Sequence, residues 1–470
     1  MSESSETKSP NGEKKGGKHA LIIGASMAGL MTARVLSEYF HTVTVIERDI
    51  LPEDAEPRKG VPQGNHVHAL LHRGMQLLSE LFPGLFEELQ QEGGVIGDFS
   101  QEVAWFHFGA WKKRTPSGMT TSLQSRVLLE STVRKRVKAL GNVHFVQDCD
   151  VLHLMATPDR SRITGIQFRR HTIGELDVLE NADLVVDASG RSSHTPEWLE
   201  QLGYARVPES HVQMEVGYTS RIYKRPEGFN PAWKMLGIYP QPPHGRRMGI
   251  VIPIEANKVH VSLCGWLKDH APLDDQGFLE YAKSLPQPEL YELVKTLEPD
   301  GPIRQHKVPS SQRRHYEQLD RFPERLVVLG DALCSFNPTF AQGITVAAMS
   351  VKELESCVRA HLATHPAGNL DGLSNVFRKR VVKQLEDAWQ ITTGEDFRFP
   401  EVTGPKPLGG GVLGWYVARI HALTSRDAEV MAQFMRVMHL MSPPTSLLKP
   451  NILFKALTGL TSDGEAQRQA

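Results

Sequence analysis

The sequence predicts an α/β protein: a parallel sheet wound by helices, interrupted by a β-rich insert and closed by a C-terminal helical segment. Three observations predict it. Residues 19–24 (HALIIG) form an apolar run ending in glycine, helical spacing follows over 29–40, and a second apolar run, TVTVI, fills 42–46. Strand, helix and strand in so short a span make a βαβ unit, the connection that parallel strands require. Far downstream, LVVLGDALCSFNPTFAQG at 326–343 returns to the buried-strand pattern and opens a new helical one. Between them, 212–266 reads as extended chain with a hairpin in RMGIVIPIEANKVHVSLCGW.

The remaining elements follow in order. The first eighteen residues, MSESSETKSPNGEKKGGK, are polar and low in complexity, which predicts a disordered tail without the apolar stretch of a signal peptide. RKGVPQGNHVH is turn-rich, and a helix is predicted over 70–81, stopped by Phe82-Pro83-Gly84. Residues 125–140 read as a helix that is basic on its outer face, and 143–186 as short alternating strands ending in LVVDASG. Beyond Gly343 the pattern is helical, broken by a loop, FRFPEVTGPKPLGGGVLG. The domain expectation is a tail at 1–18, a discontinuous cofactor domain at 19–94, 121–206 and 307–360, a β-rich substrate domain at 95–120 and 207–306, and a helical region at 361–470.

Composition narrows the function classes. With 470 residues the chain can bury a large core. Lys+Arg of 53 against Asp+Glu of 54 gives a net charge of -1, which argues against a nucleic-acid binder that relies on a basic surface. Cys149, Cys264, Cys334 and Cys357 form no C-x-x-C pair, so buried inert thiols in a reduced, cytoplasmic setting are expected. No apolar run approaches the roughly 18 residues of a membrane span. The apolar C-terminal stretch VMHLMSPPTSLLKPNILFKAL is expected to pack on the body of the protein rather than on a membrane surface.

Two glycine patterns compete for a phosphate-binding role. Gly24-Ala25-Ser26-Met27-Ala28-Gly29 lacks the middle glycine of G-x-G-x-x-G, whereas Gly409 to Gly414 (GGGVLG) matches it in full. Binding a pyrophosphate requires a strand that delivers the chain into a tight turn and a helix whose free N–H groups start at once. The first pattern has both, and an acid, Glu47, about 20 residues on at the next strand's end, placed to accept from ribose hydroxyls. The second follows the proline-broken GPKP and has neither, so it is read as linker. Asp331, an acid at the end of a buried strand, is the natural holder for the far end of a long dinucleotide. The helix opening at Gln342-Gly343-Ile344 would turn its positive N-terminus toward the same place.

These residues carry a resemblance. The stretch GD…NP…QG, with the N-terminal fingerprint and LVVDASGRSS at 184–193, resembles the FAD-dependent monooxygenases of the p-hydroxybenzoate hydroxylase type. RKGVPQGNHVHALLHRG, DAWQITTGEDFRFP and FMRVMHLMSPPTSLLKP are similar to a bacterial subgroup that includes polyether epoxidases. The resemblance implies a Rossmann-like FAD-binding domain of glutathione-reductase type. It implies FAD contacts from Gly24, Ser26, Met27, Ala28, Gly29, Glu47, Arg48, Arg58, Arg126, Asp331, Gln342, Gly343 and Ile344. Ala341 replaces the usual glycine before Gln342, which is strained if that position needs a positive φ. Asp187, Gly190 and Arg191 read equally as a structural turn or as a cofactor contact. His66, His68 and His72 are read as polar lining of the active-site cavity rather than metal ligands, and no metal is expected.

The activity so implied is monooxygenation: hydroxylation or epoxidation of an apolar aromatic or polyene small molecule by O2, through a flavin C4a-hydroperoxide. NADH or NADPH would serve as transient reductant, or a separate flavin reductase would supply reduced flavin. Trp105, Phe106, Phe108, Trp111, Tyr218, Tyr223, Trp233 and Tyr239 are read as the apolar substrate wall. The chain resembles geranylgeranyl-type reductases in DASGR and GD…NP, so an alkene reductase stays open. A flavin halogenase is disfavoured, because the strand MGIVIPI has neither tryptophan of W-x-W-x-I-P. A non-enzymatic flavoprotein would hold FAD that nicotinamides cannot reduce. No catalytic residue beyond the cofactor, and no G-x-S-x-G nucleophile, is expected.

Overall fold

A computed structural model describes residues 16–172, 174–365, 368–406 and 410–460. Its organising element is a five-stranded parallel sheet. Across it run Leu326–Val328, Leu184–Asp187, Gly17–Ile23, Phe40–Ile46 and Val143–Val146. The last four residues of Gly17–Ile23 and of Phe40–Ile46, and all of Leu184–Asp187 and Leu326–Val328, are buried and mostly apolar, because helices bury both faces of a parallel sheet. The helix Met27–Leu36 contacts both Arg126–Lys138 and the long Gly343–Thr364. All five strands point the same way, so Gly24, Glu47 and Asp331 emerge at one edge, the carboxyl edge where ligands of such sheets bind.

A second, eight-stranded sheet holds the central part of the chain. Its order is Cys334–Ser335, Arg304–Arg314, Glu209–Lys224, Lys258–Gly265, Arg247–Ile254, Met235–Ile238, Val103–His107 and Ala110–Trp111. Arg247–Ile254 and Lys258–Gly265 form the hairpin expected from their alternation. One face packs under the C-terminal helices, in a core with Trp105, Tyr218, Phe399 and Phe434. The other covers Asp275–Lys283 and Glu289–Val294, with Phe106, Tyr223 and Leu263 between. A small antiparallel sheet, Cys149–Ala156, Ile163–Arg170 and Leu176–Leu179, accounts for the alternating runs before Leu184.

Several local expectations change. Phe40 starts the second strand rather than ending the first helix, because it pairs with Gly17. Strand pairing also extends to Gly17 and Lys18, whose backbone the apolar pattern does not report, and Lys18 N donates to Asp183 (2.6 Å). The expected tail is therefore shorter at that end, and residues 1–15 lie outside the described residues. The predicted helix over 70–81 begins at His72, since Ala69–Leu70 pairs with Thr120–Leu123. The helix Arg126–Lys138 turns Arg126 and Arg134 inward, so its cations are not confined to an outer face.

The stretch read as a linker is helical from Gly410 to Leu423, residues 407–409 lying outside the described ones. Burial of Tyr416, Ile420 and Leu423 overrides the helix cost of its glycines. Helix Gly343–Thr364 runs across the boundary expected at 360. Among the described residues no helix is long and apolar enough to cross a membrane.

Candidate functional site

The first glycine turn is built for close approach. Gly24 has φ of +100°, and a Cβ there would lie 2.6 Å from the Ala188 carbonyl oxygen. A Cβ on Gly29 would fall 1.8 Å from the Gly24 oxygen, so both positions demand glycine. Ser26 begins the helix but its side chain caps none of the first N–H groups. Instead its hydroxyl donates to Glu130 Oε2 (3.0 Å) and accepts from Arg126 Nη2 (3.0 Å). An uncapped helix start of this kind is a ready anion site.

Around that start the chain assembles buried charge. Glu47 is buried and accepts from Ala25 N (2.7 Å) and Asp49 N (3.1 Å), which fastens the second strand's end to the turn. Arg58 reaches Glu47 (3.2 Å), Asp49 (3.0 Å) and Glu130 (2.8 Å), while Arg126 pairs with Glu130 at 2.7 Å. Burial alone would raise the Glu130 pKa, but Arg126 and Arg58 hold it below the ordinary value. One guanidinium nitrogen of each arginine, Arg58 Nη2 and Arg126 Nη1, is buried without a partner. Two unpaired cationic donors beside an uncapped helix start suit the pyrophosphate of a dinucleotide such as FAD. Arg48 is exposed and makes no hydrogen bond or ion pair among the described residues.

Asp331 completes the cleft from the far end of the sequence. Gly330, at φ of +65°, packs so tightly that a Cβ on it would sit 2.9 Å from Ala28 Cβ. The acid is thereby set beside the first helix. Its carboxylate opens to solvent in the cleft, yet the enclosing protein raises its pKa against the pull of Arg191 and Arg126. A Cβ on Gly343 would lie 3.9 Å from Asp331 Oδ1, so the long helix starts beside this acid. Ala341 has φ of +54°, the left-handed conformation that its replacement of glycine made a concern. Gln342 is fully buried and Ile344 partly so; the Gln342 side chain accepts from Thr392 (2.8 Å) and leaves its Nε2 unpaired.

Two residues of the motif at 187–191 make structural bonds. Asp187 is buried and takes donors from Ser189 N (2.9 Å), Ser189 Oγ (2.5 Å), Thr195 Oγ1 (2.6 Å) and the Ser193 hydroxyl, so its capacity is spent on the turn. Gly190, at φ of +90°, faces open space. Arg191 binds Ser310 and Ser335, tying the two sheets together.

The three histidines part company. His66 Nδ1 bonds Ser220 (2.7 Å), His68 Nδ1 bonds the His66 carbonyl (2.9 Å), and His72 bonds Thr120 (3.3 Å). Burial lowers the pKa of His66 to about 3 and of His68 to about 4, so both are neutral. No group of His, Cys, Asp or Glu among the described residues is placed to hold a metal ion. The four cysteines are free and buried.

Next to the cleft lies a cavity of about 900 Å³. Its walls are the eight-stranded sheet and the C-terminal helices, and its floor includes Val67, Ala69, Leu71 and residues 338–341. His66, His68 and His72, expected to line it, are not among its lining residues. Of the expected aromatic wall, Trp105, Tyr218 and Tyr239 face the cavity. Phe106, Trp111, Tyr223 and Trp233 belong to the core under the sheet's other face, because side chains alternate along a strand. Phe108 stacks on His421, ring centroids 4.1 Å apart.

Sequence reading gave no role to Glu130, Glu395, Asp396 or His421: all four belong to helices, and Glu395 and Asp396 entered only as part of the stretch DAWQITTGEDFRFP. Asp396 is fully buried and accepts from Asn337 Nδ2 (2.7 Å) and Trp266 Nε1 (3.0 Å) through one oxygen, the other having no partner. Burial pushes its pKa up to about 7. Besides that stretch, the NP turn at 337–338 was a usable signal: a buried asparagine needs partners.

Residues 18–388 match the family model described as FAD binding domain. Protein Rv3254 of Mycobacterium tuberculosis (strain ATCC 25618 / H37Rv) is 32% identical over 406 residues, covering 83% of this chain and 82% of that protein. Among solved structures, the flavin-dependent brominase Bmp2 aligns with a TM-score of 0.66 at 14% identity, over 97% of this chain and 100% of its own. PqsL, a probable FAD-dependent monooxygenase from Pseudomonas aeruginosa, aligns with a TM-score of 0.55 at 16% identity, over 82% and 98%. At such identities the two structures speak to the fold alone. The family match spans both the glycine turn and the Asp331 segment that packs against it: this chain belongs to the FAD-binding domain family.

Proposed function

We propose that the protein is an FAD-dependent monooxygenase, an oxidoreductase that inserts one oxygen atom from O2 into an apolar aromatic or polyene small molecule. One observation carries this reading. Residues 338–341 line the 900 Å³ cavity, and the residues that follow, Gln342 and Gly343, open the helix beside Asp331. A substrate in the cavity and the redox end of a cofactor in the cleft would therefore meet across one short loop.

Bound FAD, reduced by NADH or NADPH or delivered reduced by a separate reductase, supplies the oxygen-activating chemistry. The chain's own residues bind and orient. Glu47 would take the ribose, Ser26, Arg58 and Arg126 the pyrophosphate, and Asp331 the ribityl hydroxyls. The helix dipole at Gln342–Ile344 favours negative charge on the ring. The apolar walls around Trp105, Tyr218 and Tyr239 keep water from the reacting atoms. The test is oxygen uptake by FAD-loaded protein with NADPH or NADH, with and without added aromatic and polyene compounds. Stimulation by substrate with oxygen consumed supports the reading; product formation without oxygen points to an alkene reductase. The Bmp2 fold keeps halogenation in view, although Met248 and Ile250 of MGIVIPI face the cavity in place of tryptophans. Turnover that requires bromide or chloride would favour it.

A further inference from the structure

The cavity has a corner built around a carboxylate, and three separate segments contribute to it. Glu395, at the end of helix Val382–Asp396, lies 3.0 Å from Arg398 Nε and 3.5 Å from His421 Nε2. Beside them, His107 packs edge-on against His421 at 4.8 Å, and the buried Lys112 donates to the His421 carbonyl oxygen (2.8 Å). The imidazole Nδ1 atoms of His107 and His421 are buried and have no partner. Both rings also line the cavity, beside the carboxylate. The charged groups of this corner that line the cavity are Glu395 and Arg398, whose side chains are 15% and 13% exposed.

Glu395 is the sole carboxylate among the described residues that line the cavity. Although burial would raise its pKa, Arg398 and His421 hold it well below the usual carboxylate range, so it stays ionised. An ionised carboxylate has about four acceptor positions across its two oxygens, and here Arg398 and His421 occupy two. The remainder face a space whose other walls are mostly apolar, where an acceptor without a donor is costly and a donor is strongly held.

We propose that the substrate carries a hydroxyl group, phenolic or enolic, that donates a hydrogen bond to Glu395 and so fixes which carbon of an otherwise apolar molecule faces the cofactor. This rests on the cavity being the substrate site. Arg398 and His421 act as positioning residues that orient the carboxylate.

The test is a binding measurement on FAD-loaded protein and needs no turnover. 1-Hydroxypyrene and 1-methoxypyrene have nearly the same ring and shape, but only the first has a hydrogen to donate. Fluorescence titration should give 1-hydroxypyrene an affinity about ten- to a hundredfold higher, the range set by one charge-assisted hydrogen bond. Glu395→Gln should erase that preference while leaving 1-methoxypyrene binding within about twofold, and FAD content and thermal unfolding confirm that the variant is folded. Equal affinities for the two probes in the wild-type protein, binding of neither, or a preference that survives in Glu395→Gln would each overturn the proposal. Failure of the monooxygenase reading would show instead as absent oxygen uptake with the probe selectivity intact.

Discussion

Arg126→Met separates cofactor binding from folding. Arg126 spends Nη2 on Ser26 and Glu130, while Nη1 is buried and unpaired. Methionine keeps the stem's bulk and removes the charge. Glu130 keeps Arg58 at 2.8 Å and Arg134 at 4.0 Å, so no bare carboxylate is left behind. The loss therefore falls on the cofactor. A charged hydrogen bond contributes about 1.5–3 kcal/mol, which weakens FAD binding about ten- to a hundredfold. With free FAD a hundredfold above the wild-type Kd, binding stabilises the wild type by about 2.7 kcal/mol. The variant would retain about 1.4 to about 0.4 kcal/mol under the same conditions. Deflavinated protein titrated with FAD, followed by protein fluorescence quenching and by denaturant unfolding at fixed FAD, measures both quantities. An unchanged Kd in a folded variant would refute the placement of the pyrophosphate at this cluster.

Three further predictions follow from the same geometry. Glu47→Ala frees the Ala25 and Asp49 N–H groups, so FAD affinity should fall about ten- to a hundredfold and the apoprotein should lose stability as well, read by titration and thermal melting. Asp396 has its folded pKa raised from 3.8 to about 7, so the native state holds its proton where the unfolded chain has released it. Its contribution is complete below pH about 4 and lost as pH rises through about 7. Asp396→Asn mimics the protonated acid, so the gap in stability between variant and wild type should widen across that window; parallel profiles would contradict the assignment. Ala341→Gly removes left-handed strain of about 1 kcal/mol but frees the unfolded chain by about 0.4–1 kcal/mol, so stability should barely change. Ala341→Val should cost more, by chemical denaturation.

Much of the candidate cleft's geometry was legible because it is local. Gly24, Gly29 and Glu47 sit on a βαβ unit whose spacing carries its own signal, and the GD and QG residues flank one strand and one helix. The supporting shell was not legible. Glu130 gains meaning only when helix Arg126–Lys138 is folded against Ser26, and Glu395 only when the C-terminal helices cover the sheet. Helical periodicity says which face is inward, yet Arg126, Glu130 and Arg134 are polar residues on that inward face, which inverts the rule. The full G-x-G-x-x-G at 409–414 misled in the opposite sense: its described residues begin a helix, with packing from Tyr416 and Ile420 overcoming glycine's cost.

The pair of bonds from Thr392 to Gln342 and from Asn337 to Asp396 has a mechanical reading. Helix Val382–Asp396 and residues 338–341 both line the chamber, and these bonds, made at 337 and 342 on either side of that loop, lace the two together. A guest that shifts the helix must also tug the loop, and by reciprocity a seated coenzyme would stiffen the helix. On the proposed function, occupancy of either compartment would be felt in the other without any long-range relay, through two threads a few ångströms long.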